Sequence, residues 1–188
     1  MPIDMMIRKV RLHTGLTEED TAALRSIVSS VRDLGAGTSI MQEGEISRHC
    51  CVMLSGFSYR AKVSDGGKRQ ILSFHIAGDM PDLHGMFLKR MDHDLTTLTQ
   101  ARVGFIDHRA LRQVISLRPA VAEALWRETL IDAVLFREWI VSLGTVPLQR
   151  AWPIWWRSCV SAWPRSTWSL RTSSGFPSLR QNLRKRLD

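Results

Sequence analysis

Five of the six histidines, His49, His75, His84, His93 and His108, lie between residues 49 and 108 and are the side chains best suited to chemistry in that part of the sequence. Imidazole nitrogens bind metals and haem iron, and imidazole titrates near neutral pH. A metal-dependent enzyme on a jelly roll, such as a cupin, needs clustered His and carboxylate ligands, which usually include an HxH pair. The sequence has no HxH, so we predict no metal site and no enzyme. Surface or satisfied histidines explain the five better than haem does.

The three cysteines, Cys50, Cys51 and Cys159, form no CxxC pair, and adjacent cysteines are poorly placed to share one metal ion. We expect reduced thiols in or near a strand. No run of 18 uncharged apolar residues occurs, and the first 16 residues lack the features of a signal peptide. The expectation is a cytoplasmic protein without a membrane partner.

The net charge of +8 is concentrated near the end of the sequence. Residues 145–188 hold eight Lys and Arg residues and one acidic residue, so they contribute +7 of the total. Residues 1–144 are close to neutral and therefore show no electrostatic footprint for nucleic acid.

An N-terminal helix and a set of short strands are predicted for the first 108 residues. Thr17 is a good N-cap with Asp20 three residues later, and an apolar stripe at helical spacing predicts a helix over 17–31. From Leu34 to His108, strand-sized segments alternate with Gly-containing turns, and Asp65-Gly66-Gly67 indicates a hairpin. This spacing predicts an antiparallel sandwich or jelly roll.

Two helices should follow the strands, a short one near 110–117 and a long one over 119–143 that Pro119 can open. The long helix has more apolar surface than one side of a small sandwich can cover. We therefore predict a homodimer through this helix. Its predicted contact residues are Leu125, Leu135, Phe136, Trp139 and Leu143.

The sequence resembles the cyclic-nucleotide-binding-like domain of Crp/Fnr-type transcription regulators over residues 12–144. The elements have the same order, which is a helix, a β-roll with Gly at its turns and a long helix. The strings at 32–45, 53–56, 76–83 and 137–144 match the family's strand, turn, cassette and helix-end patterns. The resemblance implies an α+β fold: an N-terminal helix, an antiparallel β-roll of the double-stranded jelly-roll type, a long C-terminal dimerisation helix and an irregular tail. It also implies DNA as the family partner and an unknown small-molecule effector.

The cassette in this resemblance is the segment that approaches the cyclic phosphate. Its candidate effector-binding residues here are Gly78, Asp79, Asp82, Leu83, His84, Arg90 and His93. Among them, His84 and His93 bracket the cassette and are the first to test as ligand or pH sensors.

Two cofactors of the family are not expected in this chain. Pro81-Asp82-Leu83 stands where the family has Gly-Glu-Leu, and the family's Arg falls near Met91-Asp92-His93, where a carboxylate would repel a phosphate. We therefore predict weak or absent cAMP binding. No cysteine precedes Cys50, so an N-terminal iron–sulfur cluster is not expected.

Residues 145–188 resemble no winged helix-turn-helix, which the family places after the long helix. They hold five of the seven Trp and four of the seven Pro residues, without a helical or strand period. Codons permitted for residues 177–188, when read one nucleotide out of phase, translate as Ile-Thr-Gln-Ala-Glu-Leu-Ala-Glu-Ala-Leu-Gly, which is similar to the first helix of that domain. We predict an out-of-frame remnant of the DNA-binding region.

The predicted organisation is a β-roll over 1–110, a dimerisation helix over 111–144 and the atypical tail. A Crp/Fnr-type regulator, impaired in DNA binding as it stands, is the leading interpretation. A stand-alone small-molecule-binding β-roll and a cupin-like enzyme are the alternatives. A third, direct nucleic-acid binding through the tail's Trp and Arg residues, would rely on stacking and phosphate contacts.

Overall fold

A computed structural model describes residues 3–11, 14–88 and 90–145 of the chain, without the side chains of 142–145. The predicted out-of-frame remnant lies outside these residues, except for Thr145. Residues 1–130 form one compact unit, and residues 131–145 of the last helix are assigned to a second. Within the described residues, no helix has the length and apolar character that a membrane span requires.

Four α-helices and seven strands make up the described chain. The helices are α1 (Asp4–Arg11), α2 (Glu18–Ser26), α3 (His108–Leu117) and α4 (Pro119–Thr145). The strands are β1 (Val28–Leu34), β2 (Ser39–Met41), β3 (His49–Ser55), β4 (Ser58–Val63), β5 (Arg69–His75), β6 (Asp94–Thr97) and β7 (Ala101–Asp107). A short 3-10 helix, Leu83–Met86, lies between β5 and β6.

The strands form two antiparallel sheets, with the orders β1-β7-β3 and β2-β6-β4-β5. Together with the helices before and after the strands, they confirm the predicted β-roll fold and the long helix that follows it. The predicted hairpin at Gly67 joins β4 to β5, and this glycine has φ +75°.

Strand β3 is buried on both faces, since residues 50–54 are all buried. Adjacent residues of a strand point to opposite sides, so they enter two different cores. Cys50 and Val52 pack in a core with α2, α3 and α4, whose members include Leu24 and Leu111. Cys51 and Met53 pack in a second core, with Leu95 and Val103. This two-sided burial explains why HCCVML is a continuous apolar run rather than an alternating one.

The predicted helix over 17–31 is too long. Its capping box is present, since the Thr17 side chain accepts the Asp20 N–H and the Asp20 carboxylate accepts the Thr17 N–H. The helix ends at Ser26, and residues 28–34 instead pair with β7 as strand β1. Helix α1, which the sequence analysis did not predict, buries Met6, Ile7 and Val10 in the first core.

Candidate functional site

The turn that opens the cassette is fixed to β3 by the main chain. Gly78, at φ +95°, donates its N–H to Met53 O at 2.7 Å, and the Met53 N–H donates to Asp79 O at 2.9 Å. A residue with a side chain would be strained at that φ, so glycine is required here for backbone reasons. The structure thus shows a backbone role for Gly78, and the contact with an effector that the sequence predicted for it stays a prediction.

The Asp79 carboxylate is already engaged within the fold. It accepts from Lys9 Nζ at 2.8 Å and from the Ile76 N–H at 2.9 Å. Lys9 Nζ also lies 2.7 Å from Glu128 Oε2 on α4, so one cation joins α1, the cassette turn and α4. Burial alone would raise the pKa of Asp79, but Lys9 and His75 hold it well below its usual range. Asp79 therefore belongs to this ion cluster, and its predicted contact with an effector stays a prediction.

Asp82 is buried inside the roll, with 1% of its surface exposed. Its Oδ1 accepts the Cys51 N–H at 2.7 Å, whereas Oδ2 has no hydrogen-bond partner in the described part of the chain. Burial raises the pKa of Asp82 to about 7, against the opposing effects of the Cys51 N–H and Arg60. Its next neighbour, Leu83, is buried in the first core and contributes packing.

Arg60 is a buried cation that the sequence analysis did not select. Its guanidinium donates to Pro81 O from Nε, at 2.8 Å, and from a terminal nitrogen. Arg60 pairs with Ser73 across β4 and β5, and the buried His75 bonds the Ser73 hydroxyl at 2.9 Å. A charged residue in the middle of a strand usually marks the solvent face, so only its burial reveals this polar interior.

His84, on the 3-10 helix, and His93, before β6, are the two predicted ligand or pH sensors, and they lie side by side in the structure. Their ring centroids are 5.3 Å apart. Asp92 lies between them, with Oδ1 2.8 Å from His93 Nδ1 and 3.7 Å from His84 Nε2. His93 is buried, and burial and the nearby Arg60 lower its pKa, against the opposing effect of Asp92. The carboxylate that was expected to repel a phosphate thus faces two imidazoles.

Arg90 is exposed, and its guanidinium donates to Gly44 O at 2.8 Å in the turn between β2 and β3. Because its guanidinium binds this carbonyl oxygen, Arg90 would need a different side-chain conformation to make its predicted contact with an effector. Of the predicted cassette residues, the structure thus brings His84 and His93 together and buries Asp82 inside the roll.

The residues predicted for dimerisation differ in where they lie on α4. Leu125 is 4% exposed and belongs to the first core, so we correct its assignment to a dimer face. Leu135 and Phe136 are half-buried, Trp139 is buried, and the side chain of Leu143 lies outside the described residues. The large apolar side chains that α4 exposes are instead Trp126, Leu130, Val134, Ile140 and Val141.

Residues 31–118 match the family model "Cyclic nucleotide-binding domain". The chain is also similar to the transcriptional activator protein FnrA of Stutzerimonas stutzeri, with 27% identity over 124 residues, which cover 66% of this chain and 51% of that protein. The chain thus spans about half the length of this curated relative.

Solved structures show the same fold. A cyclic nucleotide-binding domain from Methylobacillus flagellatus has a TM-score of 0.66 at 13% identity, covering 78% of this chain and 86% of that one. The catabolite activator protein of Thermus thermophilus has a TM-score of 0.57 at 18% identity, covering 77% of this chain and 62% of that one. FixK2 of Bradyrhizobium japonicum has a TM-score of 0.57 at 20% identity, covering 62% of this chain and 58% of that one.

Residues 31–118 thus match the cyclic nucleotide-binding domain family, and the chain has the fold of the solved structures to which it is similar.

Proposed function

We propose that this chain is the effector-sensing and dimerising part of a Crp/Fnr-type transcription regulator, with its effector bound at the cassette. The polar interior of the roll supports the proposal most. Asp82 Oδ2 and His93 Nε2 are buried and have no hydrogen-bond partner in the described residues. A buried polar atom without a partner costs about 1–3 kcal/mol, so such atoms need a reason to be kept. Binding of a polar effector supplies one.

The effector that we propose is not cAMP. A cyclic phosphate carries a negative charge, and the cassette offers it the Asp92 carboxylate, while the Arg60 guanidinium is bonded to Pro81 O. Bringing an anion next to a carboxylate in a partly buried site is unfavourable.

Isothermal titration of the full chain with cAMP is therefore expected to show no binding in the micromolar range. A parallel titration of Asp92→Asn should show whether repulsion by this carboxylate is the cause, because the variant keeps the side-chain shape and loses the charge. Micromolar binding of cAMP to the unchanged chain would contradict the proposed effector class.

A homodimer through α4 is the second part of the proposal. Trp126, Leu130 and Val134 are exposed at intervals of four residues, so they lie on one side of the helix. Leaving three large apolar side chains in water is unfavourable, by about 25 cal/mol for each Å² of apolar surface. A second copy of α4 covers such a stripe in the manner of a coiled coil.

Leu130→Glu is expected to convert the dimer to monomers, because a carboxylate would be buried in the helix pair. Sedimentation velocity of the full chain measures the change. Leu117→Glu is the matched control, since it introduces the same charge at an exposed leucine of α3. A monomeric unchanged chain, or equal sedimentation of Leu130→Glu and the unchanged chain, would refute the α4 dimer.

We further propose that the chain as it stands is impaired in DNA binding, because residues 145–188 do not resemble the family's DNA-binding domain. A gel-shift assay with palindromic and scrambled duplexes should show no preference between them. The nucleotide sequence across codons 140–150, together with a tail peptide in mass spectrometry, tests the out-of-frame origin. Preference for a palindrome would contradict the proposal.

A further inference from the structure

The side chains of His84, Asp92 and His93 form a cluster of possible metal ligands at the cassette. One ligand atom from each of the three lies within 4.8 Å of the other two. Asp92 Oδ1 is the common neighbour, 2.8 Å from His93 Nδ1 and 3.7 Å from His84 Nε2. The described residues contain no other group of three or more His, Cys, Asp or Glu side chains with this geometry.

We propose that these three residues form a binding site for a divalent transition metal, and that Zn²⁺ fits it best. Imidazole nitrogen and carboxylate oxygen are ordinary zinc ligands, at about 2.0–2.2 Å. Tetrahedral coordination at that distance separates neighbouring ligand atoms by about 3.3 Å. The separations of Asp92 Oδ1 from the two imidazole nitrogens, 2.8 and 3.7 Å, lie on either side of this value, and all three ligand atoms lie within 4.8 Å of one another. Side-chain rotation would bring them to a common ion.

The exposure of the three side chains fits a site that an ion can enter and leave. His93 has 4% of its side chain exposed, which fixes its ring, whereas His84 has 27% and Asp92 has 64% exposed. The ion would therefore bind at the surface against one rigid ligand. Three protein ligands leave at least one coordination position for water or another small ligand, unlike the closed four-ligand sites that only stabilise a fold.

The neighbouring charges leave the Asp92 carboxylate available to a metal. Lys62 Nζ donates to the Asp92 main-chain oxygen at 3.0 Å and lies 3.1 Å from Glu43 Oε1. The buried Arg60 guanidinium bonds Pro81 O, three residues before His84. These two cations oppose the ion, so we expect an exchangeable site rather than a permanent one.

Such an ion would join the 3-10 helix, which carries His84, to the segment that leads into β6, which carries Asp92 and His93. Metal binding itself does not depend on the proposed regulator function. The view that the metal acts as the effector, by fixing the cassette, does rest on that function.

The test is a zinc titration of the full chain in competition with a chromophoric chelator. We expect one Zn²⁺ per chain at this site, and His84→Gln and Asp92→Asn should each weaken binding by at least about tenfold. Both positions are accessible, so the variants should fold, and circular dichroism checks this. Co²⁺ in place of Zn²⁺ should give a visible absorption band that His84→Gln abolishes.

Two controls separate this site from other ligands. His49→Gln removes an exposed histidine that lies 3.9 Å from Asp107, and it should leave zinc affinity unchanged. Cys159→Ser removes a thiol outside the described residues and should also leave the affinity unchanged. Absence of zinc binding, or equal affinity of His84→Gln and the unchanged chain, would overturn the metal site. Sedimentation of the same samples tests the α4 dimer separately, because dimer formation does not require the metal.

Discussion

Replacing Lys9 with methionine is expected to lower the free energy of unfolding by about 3–5 kcal/mol, because it leaves two carboxylates without their shared cation. Lys9 Nζ lies 2.8 Å from Asp79 Oδ1 and 2.7 Å from Glu128 Oε2, and all three side chains are less than one-fifth exposed. Methionine keeps most of the side-chain volume, so the loss of stability measures the effect of removing the charge. Urea denaturation followed by circular dichroism measures it.

Arg11→Met is the control for Lys9→Met, since it removes a cation from the same helix. Arg11 pairs with Glu18 at 2.7 Å, but both side chains are largely exposed, so the variant should lose no more than about 1 kcal/mol. If Lys9→Met costs as little as Arg11→Met, the cluster does not hold α1 and α4 to the cassette turn.

The same cluster should make the chain sensitive to acid. The pKa of Asp79 is lowered in the folded protein. Its contribution to the free energy of unfolding is therefore fully present above its ordinary pKa of 3.8 and is lost as the pH falls towards its pKa in the folded protein. The pKa of Lys9 is raised by Asp79 and Glu128 against the effect of burial, so its contribution persists until the pH rises past its ordinary pKa of 10.5. Lys9→Met should flatten the acid side of the stability profile.

Gly56→Ala is expected to cost about 2–5 kcal/mol, because it combines a strained backbone with a steric clash. Gly56 has φ +78°, and a Cβ there would lie 2.3 Å from Gln100 O and 2.7 Å from Ala101 Cα. Both are main-chain atoms, so the neighbouring strand itself would have to move. Chemical denaturation of the variant measures the loss.

Gly67→Ala is the matched control, because Gly67 has nearly the same φ, +75°, and nothing within 4 Å of the added Cβ. It should lose only the backbone part, about 1–2 kcal/mol. The difference between the two variants isolates the contact with residues 100 and 101. Equal losses would show that no such contact constrains the turn.

The sequence predicted the elements whose local signals agree with their tertiary environment. The Thr17 capping box, the hairpin at Gly67 and the helix that begins at Pro119 are examples. Strand β1 was misread as helix because Ile27, Val28 and Val31 also have helical spacing. Its residues are mostly exposed, so no alternating burial pattern marked it as a strand, and only pairing with β7 decides its conformation.

The candidate site was predictable in part. His84 and His93 were selected by their position around the cassette. They are nine residues apart and form no HxH pair, so the sequence did not indicate that their rings would be adjacent. Lys9 is 70 residues from Asp79, and no local pattern relates them. Arg60 has the sequence pattern of a solvent-facing strand residue, yet it is buried and bonded to Pro81 O, 21 residues further along the chain.

The side chains of Cys50 and Cys51 point to opposite faces of β3, so each thiol can serve as a probe of a different core. Both thiols are buried, and burial raises the pKa of each, so the folded protein should resist alkylation and oxidation. One sulfur lies in the core against the helices and the other in the core that contains Met41 and Leu95. In a chain with Cys159 replaced by serine, labelling rates at these two adjacent sulfurs would report separately how often each layer of the protein opens.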